Sequence, residues 1–307
     1  MVRDLNKKIK DYKIADFWSQ WEKSLKGIGL AQFKKEIIGR KIIGARRIGK
    51  NIFIDLSGGK TLYIHLKMTG HLLLKSQKNS QFPNSNFQIN SKSQIQNTKR
   101  KKVENYFEDK VNQYIRHSWM LKKGRDELKM DFSDLRKFGK IVLLDTKKIE
   151  ELPEIKKLGV DAMSREFNLK KFKEILEKKP KSIIGLLLMD QNLIAGIGNI
   201  YRSEILFAAG VDPKRKVESL KEAEIEKIFD DTKKILKLAI KMRGTSDSDY
   251  RDTSGKPGNF QKVLKVYGRT GEKCLGNGLT KNKKCDSIVK RIKLGQRSVF
   301  WCERCQR

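Results

Sequence analysis

Residues 187–213 read LLMDQNLIAGIGNIYRSEILFAAGVDP. Apolar residues recur with a helical period on both sides of the central AGIGN segment, and GVDP ends the second helical pattern. Glycines let a backbone approach a ligand closely, Asn199 is a favourable helix N-cap, and a helix N-terminus offers N–H donors to a phosphate. Most such turns only connect two helices. The stretch therefore predicts a helix pair and leaves open whether its turn binds phosphate.

Helical patterns also lie on either side of this stretch, in FNLKKFKEILEKK and over residues 219–242. Before residue 150 the pattern alternates between apolar and polar residues, over 41–56, 60–75 and again from about 113 to 144, which is typical of antiparallel strands. A short basic helix is expected over 2–12. We predict an α+β, multidomain chain: a β-rich part over 1–150, a helical part over 151–262 and a metal-bound hairpin over 263–307.

One segment, residues 76–112, interrupts the β pattern. Between residues 76 and 99, 15 of 24 residues are Ser, Gln or Asn, without a sustained apolar period. Such a composition buries too little apolar surface to offset the entropy lost on ordering. We expect a disordered loop insertion with no catalytic role.

The charge balance restricts the partners. Lys and Arg number 69 against 36 Asp and Glu, a formal net charge of +33, which indicates a polyanionic partner. An anionic membrane surface is the weaker alternative to nucleic acid, because no amphipathic anchor accompanies the charge. No apolar run approaches the roughly 20 residues of a membrane helix, and no signal-peptide pattern is seen. We expect a cytoplasmic or nucleoid-associated protein without a membrane partner.

Four cysteines fall in the last 34 residues, at Cys274, Cys285, Cys302 and Cys305. Clustered cysteines in a cytoplasmic chain suggest a metal before a disulfide, with free or redox-active thiols as the alternative. The two-residue spacing of the last pair is that of a zinc knuckle, whereas the first pair is wide and needs a bulging loop. We predict one structural Zn²⁺, with Arg291, Lys293, Arg297 and Arg304 on or beside its hairpin.

Three further features each have a functional and an ordinary explanation. The loop over 243–261 is either a binding loop or a connector. Lys50 follows two arginines and is, by itself, an ordinary solvated strand lysine. Phe138, in the stretch DLRKFG, is either a wedge for a base stack or a buried aromatic residue flanked by solvated charges.

Together the motifs resemble one family, the bacterial formamidopyrimidine-DNA glycosylases, which are related to endonuclease VIII. The matching stretches include GRKIIGARRIGKNIFIDL, HLKMTGHLLL, SDLRKFGKIVLLD, the opening stretch, GKPGNFQKVLKVYGRTGEKC and IKLGQRSVFWCERCQ, and they cover most of 33–75 and 113–307. The resemblance implies an N-terminal β-sandwich, a helix–two-turn–helix domain and a C-terminal zinc finger. It also implies excision of oxidised purines, such as 8-oxoguanine and formamidopyrimidines, from double-stranded DNA, followed by β,δ-elimination at the abasic site.

The resemblance also assigns roles to individual residues. Lys50 matches a hairpin lysine that acts on the damaged nucleotide, and Arg297 matches a zinc-finger arginine that serves phosphate binding and the second elimination. The side chains that fill the gap left by the everted base are matched by Met68, Arg136 and Phe138. DNA-backbone contacts are matched by His117, Lys181 and Asn199. The gap-filling trio and GKPGNFQ favour the formamidopyrimidine branch over endonuclease VIII.

The family's chemistry begins at an N-terminal Pro-Glu, in which the proline amine is the nucleophile and the glutamate is the acid–base group. This sequence begins Met1-Val2-Arg3, which aligns within the family's first helix. We expect the natural product to start upstream as a monomeric repair glycosylase, and the 307-residue polypeptide to bind DNA but excise poorly. The alternative is a catalytically inactive damaged-DNA-binding protein, and RNA binding is a third, weaker hypothesis.

Overall fold

A computed structural model describes residues 1–76, 106–246, 249–277 and 285–307. The chain divides into two compact units. We call them the sandwich unit, with Met1–Arg47, Asn51–Ile149 and Thr245–Gly258, and the helical unit, with Ile48–Lys50, Glu150–Gly244 and Asn259–Arg307. The main division lies one residue from the predicted boundary at 150. The loop over 245–258 belongs to the sandwich unit, although its place in the sequence suggested the helical part.

Two sheets form the sandwich unit. The four-stranded sheet has the order β1-β7-β8-β6, with β1 Lys13–Ser19, β6 His71–Ser76, β7 Ile115–Lys123 and β8 Asp126–Ser133. The five-stranded sheet has the order β2-β9-β5-β4-β3, with β2 Leu25–Lys26, β3 Ile42–Ile48, β4 Asn51–Leu56, β5 Lys60–His65 and β9 Lys140–Asp145. β4 and β5 are antiparallel and meet at the predicted turn over 57–59. The β-sandwich expectation is confirmed.

One apolar core joins both sheets to two helices, α1 Val2–Ile9 and α2 Leu30–Ile37. Leu5 and Ile9 are fully buried, because four-residue spacing places them on one face of α1. Phe17 of β1 packs against the ring of Trp119 on the neighbouring strand, with 5.0 Å between ring centroids. The predicted N-terminal helix therefore exists and is part of the core.

The predicted disordered insertion is partly ordered. Residues 77–105 lie outside the described residues, but residue 76 ends β6, and short 3₁₀ turns occupy Tyr106–Glu108 and Lys110–Asn112. Asn112 is fully buried, donates to the carbonyls of Tyr106 and Gly255 and lies 2.8 Å from Nε2 of His71. The expectation of disorder over the whole of 76–112 is wrong for these ends, because buried polar contacts order them.

The helical unit contains five helices among its described residues, α3 Pro153–Lys156, α4 Leu169–Glu177, α5 Ile184–Leu187, α6 Asn199–Ala209 and α7 Glu222–Lys241. Turns at 188–189 and 191–193 separate α5 from α6, and α6 ends at Gly210 with φ of 76°. The short strands β10 Val160–Asp161 and β11 Ile194–Ala195 pair in parallel. A C-terminal hairpin consists of β12 Lys290–Leu294 and β13 Arg297–Trp301. No helix in the described ranges is long and apolar enough to cross a membrane.

Replacing Leu5 by Ala should destabilise the protein by about 2–5 kcal/mol, because it leaves a cavity where α1 meets the core. Urea unfolding monitored by circular dichroism measures the change in the free energy of unfolding. Lys7→Ala on the exposed face of the same helix is the control and should change it by less than about 0.5 kcal/mol. Equal effects of the two changes would contradict the packing of α1 through Leu5.

Candidate functional site

Two loops of the sandwich unit carry the predicted gap-filling trio. Buried Asp134 joins them, because its carboxylate accepts hydrogen bonds from the Thr69 hydroxyl and, at 2.7 Å, from the Gly139 N–H. The Thr69 hydroxyl oxygen in turn accepts from the N–H of Arg136 at 3.1 Å. The loop over 66–70 and the loop over 134–139 are thus fixed to each other beneath their exposed side chains.

The trio itself is exposed, and two of its members are in contact. Met68 is 63% exposed and Phe138 is 60% exposed. The Arg136 guanidinium donates to Sδ of Met68 at 3.6 Å. Phe138 is therefore not the buried aromatic residue of the ordinary explanation. Large apolar side chains held at the surface by a buried polar network are what insertion into a base stack requires.

His117 is in a different environment from the one expected of a DNA-backbone contact. The side chain is fully buried in the sandwich core, stacked between Phe17 and Phe132, and its Nε2 lies 2.6 Å from the Ser24 hydroxyl. Burial, with a smaller contribution from the charge of Arg116, lowers the pKa of His117 to about 3, so the ring is neutral. The ring therefore has no exposed surface in this structure, and a DNA-backbone contact by His117 stays a prediction.

Lys50 lies at the turn between β3 and β4, in the helical unit, and not within a strand as its sequence pattern suggested. Its Nζ donates to the Ile197 carbonyl at 2.9 Å. The residue as a whole is exposed, but protein surrounds its ammonium group. The loss of hydration is the larger cause and the charge of Arg297 the smaller one, and together they lower the pKa of Lys50 to about 8. An amine with that pKa can exchange protons near neutral pH.

Asp161 anchors the Lys50 turn and was not among the predicted site residues. Its carboxylate accepts from the Gly49 N–H at 2.6 Å and from the Met163 N–H at 2.8 Å. Gly49 has φ of 58°, and a Cβ there would lie 3.1 Å from the Ala195 side chain, so the turn requires glycine. Asp161 and Gly49 are 112 residues apart in the chain, and no local pattern announces such a contact.

The helical unit also holds the remaining predicted DNA contacts. Lys181 is exposed in a turn before α5, and Arg297 is exposed at the first position of β13. Asn199 is the first residue of α6, where Gly198 is the N-cap, so the prediction that Asn199 caps the helix is wrong. Its Oδ1 instead accepts a hydrogen bond from the guanidinium of Arg202.

The four cysteines converge into one cluster. Their Sγ atoms all lie within 4.8 Å of one another, with 3.7 Å between Cys274 and Cys305 and 3.8 Å between Cys285 and Cys302. A disulfide would need about 2.05 Å. Four ligands about 2.3 Å from a tetrahedral ion are about 3.8 Å apart, so the thiols have the spacing of a metal site. The wide loop expected between the first two cysteines lies largely outside the described residues, at 278–284.

Comparison with known proteins identifies relatives that share this architecture. Family models match at residues 1–141, the formamidopyrimidine-DNA glycosylase N-terminal domain, and at 158–251, the formamidopyrimidine-DNA glycosylase H2TH domain. A formamidopyrimidine-DNA glycosylase of Carboxydothermus hydrogenoformans is 33% identical over 93% of this chain and 88% of that protein. One of Desulfitobacterium hafniense is 32% identical over 99% and 96%.

Solved structures agree. The Lactococcus lactis Fpg bound to DNA containing an abasic site superposes with a TM-score of 0.76, at 29% identity over 100% of this chain and 96% of that chain. The same enzyme bound to DNA containing Fapy-dG gives 0.75, at 29% identity over 100% and 97%.

The fold and these matches define a DNA glycosylase of base-excision repair. Within that class, the chain belongs to the formamidopyrimidine-DNA glycosylase family. The family resemblance seen in the sequence motifs is thereby confirmed, as are the N-terminal sandwich, the helix–two-turn–helix domain and the C-terminal hairpin with its cysteine cluster.

The pKa of Lys50 can be measured by acylation, since only a neutral amine reacts. The rate at Lys50, followed by peptide mass spectrometry, should rise through a midpoint near pH 8, whereas an ordinary lysine has its midpoint near about 10.4. Arg297→Gln should move the midpoint upward, because a neighbouring positive charge disfavours the ammonium. Lys293→Gln, on the same hairpin, is the control. A midpoint that ignores Arg297→Gln would contradict the electrostatic explanation.

Proposed function

We propose that this glycosylase removes oxidised purines, such as 8-oxoguanine and formamidopyrimidines, from double-stranded DNA and cleaves the strand by β,δ-elimination. The observation that carries the proposal is the exposed trio of Met68, Arg136 and Phe138 on loops held by the buried carboxylate of Asp134. The crystallised Lactococcus lactis relatives, bound to abasic-site and Fapy-dG DNA, support the same substrate class.

The trio suits the extrusion of a damaged nucleotide. Extrusion leaves a gap and an unpaired partner base, at a cost of a few kcal/mol in lost stacking and pairing. Phe138 offers a ring that stacks beside the gap, and Met68 offers a flexible apolar side chain that fills it. The Arg136 guanidinium offers a planar set of donors to the edge of the unpaired base. We therefore expect Arg136 to govern preference for the base opposite the lesion.

The chemistry needs an amine that attacks C1′ of the damaged nucleotide. The C1′–base bond breaks as the C1′–N bond forms, the amine loses a proton and the departing base takes one up. The C1′–O4′ bond then opens, with a proton going to O4′, which gives the Schiff base; this makes the C2′ proton removable, so that the 3′-phosphate leaves by elimination. Family resemblance assigns the attacking amine to an N-terminal proline. Lys50 is proposed to exchange protons with the reacting nucleotide, while Arg297, Asn199 and Lys181 bind phosphates.

Borohydride trapping on a duplex containing 8-oxoguanine tests the activity and identifies the amine. Protein expressed from its own gene, with its N-terminal residue read by mass spectrometry, should give a covalent adduct and cleaved DNA. Digestion then shows whether the adduct lies on the N-terminal peptide or on Lys50. Binding to lesion DNA over undamaged DNA without excision or trapping would instead establish the damage-binding alternative. An RNA competitor that displaces the duplex at equal concentration would contradict the assignment of DNA as substrate.

Phe138→Ala should weaken binding to a duplex with a tetrahydrofuran abasic analogue by about fivefold to 150-fold, because one ring stacked on a base is worth about 1–3 kcal/mol. Fluorescence anisotropy measures the Kd. Leu135→Ala is the matched control, since Leu135 is also exposed (41%) on the same loop. An unchanged Kd in Phe138→Ala would remove Phe138 from the proposed wedge.

We propose that the four thiols of Cys274, Cys285, Cys302 and Cys305 hold one structural Zn²⁺. Tetrahedral spacing supports this, and a site closed by four thiolates binds no substrate. The ion would fasten the last two cysteines, which follow β13, to the segment at Cys274. The start of β13, which carries Arg297, would thereby be held in a fixed position.

Elemental mass spectrometry should find one zinc per chain. Cys302→Ser should lose it and lower both thermal stability and DNA affinity, because the hairpin that carries Arg297 loses its anchor. Ser287→Ala, which keeps all four thiols, is the control. A zinc-free wild-type protein that retains its DNA affinity would count against the assignment.

We further propose that the protein acts as a monomer at the bacterial nucleoid. Light scattering during size-exclusion chromatography measures the molar mass and so tests whether the protein is a monomer.

A further inference from the structure

Arg202 is a fully buried arginine in the first turn of α6. Its guanidinium donates to the Gly185 carbonyl at 3.0 Å, to the Ser298 carbonyl at 3.0 Å and to Oδ1 of Asn199. The three acceptors belong to three elements, α5, β13 and α6. One buried side chain therefore fixes the hairpin that carries Arg297 to the helix that carries Asn199.

The three acceptors of this cation are all uncharged. Among the described residues no carboxylate accepts from Arg202, and its Nε has no hydrogen-bond partner. A buried guanidinium without a counter-ion is costly, and a second cation, Arg297, lies close enough to act on it electrostatically. Burial, followed by the charge of Arg297, lowers the pKa of Arg202 to about 10, so the group stays charged at neutral pH.

The hydrogen bond from Arg202 to Asn199 determines which way the Asn199 amide points. An asparagine amide has one oxygen, which accepts, and one NH₂ group, which donates. Because the guanidinium has only donors, it fixes the amide with Oδ1 toward Arg202 and Nδ2 away from it. Asn199 makes no capping hydrogen bond, and Gly198 is the N-cap, so forming α6 does not require this orientation.

We propose that Arg202 is a positioning residue for DNA-phosphate binding, one that orients Nδ2 of Asn199 as a donor and holds the start of β13 so that Arg297 reaches the same phosphate group. The inference rests on the proposed function, in which Asn199 and Arg297 contact the DNA backbone. A phosphate supplies the negative charge that the two arginines lack among the described contacts. Arg202 itself, being fully buried, acts through its neighbours.

Double-mutant cycles on a duplex containing the tetrahydrofuran analogue test this, with Kd measured against salt concentration. Asn199→Ala and Arg297→Gln should each weaken wild-type binding by about fivefold or more, but by less than about twofold in the Arg202→Met background. Arg202→Met should also make the slope of log Kd against log salt shallower by about 0.9, as loss of one phosphate contact does. Arg202→Lys keeps the charge but cannot reach three acceptors. It should abolish the coupling to Asn199.

Leu206→Ala is the matched control, since Leu206 is fully buried on the same helix and touches the apolar core. It should lower the Tm and leave both the salt slope and the coupling to Asn199 unchanged. Circular dichroism confirms that each variant is folded at the assay temperature. If Arg202→Met does not fold, the Arg202→Lys cycle with Asn199→Ala decides the question.

Additive effects of Arg202 and Asn199 changes, in whichever background folds, would overturn the inference while leaving the proposed function intact. Wild-type-like binding by both Asn199→Ala and Arg297→Gln would instead remove the assumed phosphate contacts, and the inference would fall with them. The two failures are therefore distinguishable within one set of measurements.

Discussion

Carboxylate oxygens accept hydrogen bonds from backbone N–H groups at three places where a loop or segment carries functional residues. Asp134 holds the loop of Arg136 and Phe138 through the Gly139 N–H, and Asp161 holds the Lys50 turn through the Gly49 N–H. Glu204 of α6 accepts from the N–H groups of Lys265, Val266 and Tyr267, which lead into the cysteine cluster. These three carboxylates fix the backbone conformation where they bind it, and the fixed backbone positions the exposed side chains.

Typical interaction energies explain why buried carboxylates are suited to fixing these loops. Lys67 and Lys137, in the two loops of the trio, have φ of 54° and 59°, a left-handed conformation that costs an ordinary residue about 1–2 kcal/mol. A hydrogen bond to a charged acceptor contributes about 1.5–3 kcal/mol, which offsets that strain. An exposed lysine–carboxylate pair contributes only about 0–1 kcal/mol. Burying Asp134 against the Gly139 N–H and the Thr69 hydroxyl therefore does more for the loop than pairing it with one of the many surface lysines would.

Much of the fold follows from local patterns, because alternation and helical periodicity record which face of an element is buried. The strands around the 57–59 turn and the amphipathic α7 could be predicted in this way, and the cysteine cluster could be predicted from the spacing of its residues. Contacts between residues far apart in the sequence produce no such periodic pattern. The bond from Gly49 to Asp161 spans 112 residues, and residues 245–258 join the sandwich unit although helices precede them in the chain.

Individual site residues show the same limit. Lys50, the trio and His117 were predicted from the family resemblance, which does not reveal that β7, the strand of His117, is buried over most of its length. The role of Asn199 as a cap was wrong because Arg202, three residues later, takes up its side-chain oxygen. A signal for Arg202 did exist in the sequence, as a lone cation among the apolar residues of α6, but arginines are mostly exposed in proteins, so this pattern alone does not predict a buried one.

The other buried cations of the protein show what distinguishes Arg202. In the sandwich unit, Lys129 is 3.6 Å from a carboxylate oxygen of Asp131, and Arg251 is 2.8 Å from one of Asp109. Arg116 donates to two uncharged oxygens, the Asp134 carbonyl and Oε1 of Gln20, but the negative charge of Asp134 acts on it. Each of those cations is compensated within the fold, so its position needs no explanation beyond stability. Arg202 has only uncharged acceptors among the described residues and has Arg297 as a charged neighbour. A buried charge without an opposite charge is costly in the free protein, and an anion that binds from outside the chain lowers that cost. Under the proposed phosphate binding by Asn199 and Arg297, that anion is a DNA backbone phosphate.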